Sequence, residues 1–158
     1  MKRIEYIFNS LHHYLILTLS YTSMQHDKPA FKQAFTYLYF LMLSADKIAD
    51  LKELKLGNKI IKLENLDKNE VMKDLDILSS LPRDKVYEQG INYMKSITRE
   101  NQLKCLGYIN LMAKVEGSFD ENERKLLVDL GEKELNISMA EIAKVEGKLE
   151  KALDHLDH

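Results

Sequence analysis

Acid-bearing pairs three residues apart have the clearest chemical consequence in this sequence. Asp50 is followed by Glu53, Asp67 by Glu70, Asp120 by Glu123 and Ser138 by Glu141. At a helix start, the first side chain of such a pair accepts a hydrogen bond from the amide three residues on. The acid then reaches back to the amide of the first residue. Each such cap is worth about 1 kcal/mol. Nucleophilic and redox chemistry has less to work with. Cys105 is the single cysteine; it makes no internal disulfide, fits a reducing compartment and reads as a small apolar helix residue. His12 and His13 are adjacent, about 100° apart on a helix, and do not chelate one metal together. His155 and His158 have the spacing of a metal pair but stand at the end of the sequence. There is no G-x-S-x-G, no P-loop and no G-x-G-x-x-G, so no catalytic residue and no organic cofactor is expected.

The elements that must position these acids are helices. Only 2 Pro and 6 Gly punctuate 158 residues, too few for a β-sandwich with frequent turns. Ile4, Ile7, Phe8, Leu11 and Leu15 share one helical face, predicting an N-terminal helix over 3–22. Polar residues interrupt this segment, so it is neither a signal peptide nor a membrane span. Asp27 and Pro29 signal a helix start. The run that follows, Phe31 to Ala45, is apolar almost all round, the mark of a helix at the centre of its domain. The four acid pairs, Pro82, and the stripe Leu103, Leu106, Ile109 and Ala113 bring the count to about eight helices in one all-α domain, 1–158. The tyrosines fall within helical stripes, where a ring fills the core with its hydroxyl at the rim.

The pairs recur at a fixed offset in the numbering. Asp50 aligns with Asp120 and Glu53 with Glu123, both at an offset of 70, and Leu41-Met42 then falls on Leu111-Met112. Asp67 aligns with Ser138 at an offset of 71, one step out of register. Residues 41–80 and 111–151 therefore read as two copies of one helical-hairpin unit. A single hairpin cannot bury its apolar faces alone, so two copies pack together, with a pseudo-two-fold arrangement.

The stretch Leu111-Met112-Ala113-Lys114-Val115-Glu116-Gly117-Ser118-Phe119-Asp120-Glu121-Asn122-Glu123 resembles the signature of the tellurite-resistance TerB family. That signature is an apolar helix ending in an acid and a glycine, then a hydrophobic residue, then Asp-x-x-Glu opening the next helix. Leu135 to Glu141 is similar to a second family segment, also found in the TerB-like domain of DnaJ-like co-chaperones. The first copy, Ala45 to Glu53, matches more loosely: Lys47 replaces the family's glycine, as Glu116 replaces its usual Asp. The resemblance implies a duplicated helical fold, a place in bacterial stress response, and divalent-cation binding by Asp46, Asp50 and Glu53 and by Glu116, Asp120 and Glu123.

Three carboxylates about a tight loop suit a hard cation such as Ca²⁺ or Mg²⁺, which takes oxygen ligands. Capping alone already explains Asp50, Glu53, Asp120 and Glu123. The expectation is a non-enzymatic binding or scaffold module with a protein partner. A pure protein-interaction module is the alternative. A metal-dependent hydrolase would need both acidic loops at one shared cleft. Charge is uneven: residues 116–150 carry ten acids against five bases, a net of −5, leaving +3 on the rest of a chain of net −2. Without an overall basic field, neither nucleic acid nor membrane insertion is expected. The composition is that of a cytoplasmic protein, with which a homo-oligomer is compatible.

Overall fold

The computed structural model describes residues 28–45, 50–115 and 120–157. The expected N-terminal helix over 3–22, with His12 and His13, lies outside them, as do Asp27, Asp46, Lys47, Glu116, Gly117 and His158. The described residues are all-helical, with no strand among them. Seven α-helices follow in order: α1 (28–43), α2 (Leu51–Leu63), α3 (Lys68–Ser79), α4 (Arg83–Ser96), α5 (Arg99–Lys114), α6 (Glu121–Val128) and α7 (Met139–Asp154). A π-helical turn, Asp129–Glu134, continues α6, and a 3₁₀ turn, His155–Asp157, ends α7.

The starts follow from side-chain chemistry. Asp50, Asp120 and Ser138 each form a full capping box with the glutamate three residues on. Asp67 makes half of one. It accepts from the Glu70 amide at 3.1 Å, but the Glu70 carboxylate pairs with Lys32 of α1 instead of reaching back. A cation from a neighbouring helix has displaced the neutral amide. Pro82 stands at the start of α4, where its missing N–H costs nothing. Thr98 caps α5, accepting from the Asn101 amide at 3.2 Å; its partner position holds Asn, so no acid pair announces it.

The ends of α2 and of the π turn share a device. Asn65 (φ 51°) and Asn136 (φ 53°) are the non-glycine residues with positive φ among those described. Asparagine tolerates this region better than most residues. Just past each, an amide turns back into the helix: Leu66 N–H donates to the Ile61 carbonyl at 2.9 Å, and Ile137 N–H to that of Gly131 at 2.8 Å.

Packing centres on α1 and α5. Phe35, Leu38, Leu41 and Met42 of α1 are buried with Leu106, Tyr108, Ile109 and Met112 of α5, each such side chain contributing about 1.5–3 kcal/mol. Phe35 stacks on Tyr39 (centroids 5.6 Å apart) and meets Tyr108 edge-on at 6.2 Å. No described helix is long and apolar enough to cross a membrane.

Tyr39 reaches its place because Gly57 of α2 has no side chain: a Cβ there would overlap the phenol oxygen. Gly57→Ala is expected to cost about 1–3 kcal/mol in urea unfolding, because the buried ring has nowhere to move. Gly147, mid-helix in α7, faces open space. There the same change should stabilise by about 0.5–1 kcal/mol.

Candidate functional site

Four of the six acids are described, and they form two matched helix starts. The Asp50 carboxylate accepts from the Lys52 amide at 2.5 Å, and the Asp50 amide donates to Glu53 Oε2 at 3.1 Å. The Asp120 carboxylate accepts from the Asn122 amide at 2.7 Å, and the Asp120 amide donates to Glu123 Oε2 at 3.2 Å. Both N-cap residues are extended, with ψ near 145°, so each aspartate stands at the mouth of its turn.

Burial separates these acids from an ordinary cap. Glu53 is 2% exposed and Glu123 4%. Glu141 closes a box of the same kind with Ser138, at 2.8 Å, yet its side chain is 45% exposed. A capping box therefore does not require its glutamate to leave water. Glu141 meets Arg99 at 2.9 Å, and the Ser138 amide first, then Arg99, hold its carboxyl below its ordinary pKa. Against Glu53 lies a different group: the Tyr39 phenol is pushed up to about 12, first by burial and then by the Glu53 charge. At the same offset of 70, Tyr39 falls on Ile109.

Among the described residues no group of three His, Cys, Asp or Glu side chains is placed to hold a metal. The third expected acid of each loop, Asp46 and Glu116, lies outside them. Two cavities border the start of α1. One, of about 410 Å³, is lined by Lys32, Leu66 and Glu70 among others; the other, of about 480 Å³, by Phe31, Glu64 and Lys104. None of Asp50, Glu53, Asp120 and Glu123 lines either.

Sequence reasoning missed two buried polar groupings. Tyr108, buried in α5, donates to Glu64, which also meets Lys104 at 3.3 Å. Asn110 donates to Glu146 of α7, which Lys114 also holds, at 2.9 Å. Both Asn110 and Glu146 fall within apolar stripes, where only the partner across the helix interface reveals why a polar residue is tolerated.

Comparison with protein-family models, with curated proteins and with solved structures finds no match for the chain.

Cys105 is fully buried, and its thiol is pushed well above its ordinary pKa, first by burial and then by the nearby Glu64 charge. Such a thiol stays protonated and shielded. The folded protein should leave a thiol reagent such as DTNB unreacted at mildly alkaline pH, with one equivalent released on unfolding in guanidinium. Rapid labelling of the native state would return Cys105 to candidacy as a nucleophile.

Proposed function

We propose that this chain is a TerB-like, non-enzymatic binding module of bacterial stress response. Its two acid-capped helix starts take divalent cations, Ca²⁺ or Mg²⁺. The observation that carries the cation reading is the burial of Glu53 and Glu123 beyond anything their capping role requires. Withdrawing a carboxylate from water costs several kcal/mol unless charge and hydrogen bonds compensate. A hard cation is one source of such charge, taking oxygen ligands from Asp50 and Glu53 at one start and from Asp120 and Glu123 at the other. Asp46 and Glu116 stand four residues before each aspartate in sequence and complete the proposed sets. The cation would supply charge and order to the loop rather than chemistry on a substrate.

The family reading carries a duplication: α1–α3 and α5–α7 as two copies of one unit, joined by α4. Several independent features support it. The buried capping boxes repeat at an offset of 70, and the positive-φ asparagines and the amides that turn back beside them at 71. The reading assigns the slip to one stretch. α2 has 13 residues, whereas α6 and the π turn together have 14, 8 and 6. A single residue inserted into an α-helix is accommodated as a π turn. The second copy thus carries one extra residue in Asp129–Glu134, and everything after it runs one step late.

Two measurements test these readings. In a thermal melt, Ca²⁺ or Mg²⁺ at a hundred times its Kd should stabilise the protein by about 2.7 kcal/mol, a rise of several degrees. Asp120→Asn and Glu123→Gln should each lower that response while leaving the cation-free protein within about 1 kcal/mol. If Glu123→Gln shifts the melt equally with and without cation, the acids are caps and nothing more. As for the extra residue, deletion of exposed Glu132 should leave a cooperative fold, while deletion of Lys62, its counterpart in α2, should severely destabilise. Collapse of both variants alike would refute the insertion.

A further inference from the structure

α2 carries a lysine on its outer side through every turn: Lys52, Lys55, Lys59 and Lys62. At 100° per residue these four fall within an arc of about 80°, roughly opposite the buried Glu53, Gly57, Ile60 and Ile61, and span about 15 Å. Lys52, Lys55 and Lys62 are exposed and make no ion pair among the described residues. Like charges three and four residues apart destabilise a helix, so the row carries a cost that folding does not explain. In the second copy the matching positions read Asn122, Lys125, Asp129 and Glu132. There Lys125 and Lys133 both pair with Asp129, at 2.7 and 2.6 Å. The matching stretch of α6 and the π turn thus carries no such row.

The fourth lysine shows what the row accepts. Lys59 binds the carboxylate of Asp157, from the 3₁₀ turn that follows α7, at 2.5 Å. That turn, His155–Asp157, thus meets the row through its one carboxylate. We propose that the lysine row of α2 is a docking track for an acidic helical segment of a partner protein. Its carboxylates recur at three- and four-residue intervals, and the chain's own Asp157 holds one place on the track. Charge complementarity selects this occupant. The row holds no arginine to bind phosphate in two-pronged fashion and no aromatic ring to stack on a base. This inference is independent of the cation reading.

The test uses the full chain and a fluorescein-labelled, alanine-rich helical peptide bearing glutamate at positions matching the four lysines, followed by anisotropy at low ionic strength. Saturable binding is expected, weakened about tenfold or more by the triple change K52Q/K55Q/K62Q and progressively weakened by salt. Asp157→Asn should bind at least as tightly, since it releases Lys59. A peptide with the same glutamates scattered around the helix should bind more weakly. The proposal is overturned if the triple variant, shown folded by circular dichroism, binds the peptide as well as the parent does. It is equally overturned if the peptide does not bind. Tighter, lysine-dependent binding of duplex DNA or phosphatidylserine vesicles would replace it with a different partner class. Lysine-dependent dimerisation in sedimentation would assign the row to a second copy of the chain.

Discussion

A carboxylate withdrawn from water loses hydration that its surroundings must restore, and this chain withdraws two at the starts of α2 and α6, Glu53 and Glu123. Much of the neighbouring architecture is arranged around that constraint. On the α2 side the Tyr39 ring closes over Gly57, near the Glu53 charge. Tyr39 stacks on Phe35, Phe35 meets Tyr108, and Tyr108 donates to Glu64 at the end of α2. One run of aromatic contacts from α1 and α5 thus reaches α2 at its middle and at its C-terminal end. The requirement for glycine at 57 and the all-round apolarity of α1 follow from the same arrangement.

The helix starts could be read from the sequence because capping is local chemistry: an acceptor and an acid three residues apart carry most of the information. The places where that reading fell short are places where a distant residue intervened. Glu70 abandons its box for Lys32. Thr98 caps α5 without an acid to announce it. The burial that sets Glu53 and Glu123 apart from Glu141 was invisible for the same reason. All three have the same local pattern, and only packing decides which of them leaves water. The slip from 70 to 71 was visible as a number, but the π turn to which the proposed duplication assigns it required the backbone.

The two helix starts are alike in their caps and differ in what surrounds them. α5 buries Asn110 against Glu146 of α7, with Lys114 completing the group, whereas positions 40 and 75, which lie 70 and 71 residues before 110 and 146, are Phe and Leu. The Oδ1 of Asn110 has no hydrogen-bond partner among the described residues, a cost of about 1–3 kcal/mol. A buried amide left half satisfied tolerates few alternative arrangements, so it fixes how α5 and α7 align more sharply than a leucine would.

α2 is accordingly two-sided in charge as well as in hydrophobicity. Its inner face presents Glu53 to the core at the helix start, where the backbone amides converge and negative charge is stabilised. Its outer face presents four lysines, the last in the final turn, where the dipole favours positive charge. Glu53 and Lys62 complement the dipole, while Lys52 stands in the first turn against it. Repulsion along the lysine row is what remains, and within the described chain only Asp157 relieves it. Positive charge held in a row by a packed helix, rather than dispersed on flexible loops, loses little side-chain freedom when an ordered acidic partner arrives.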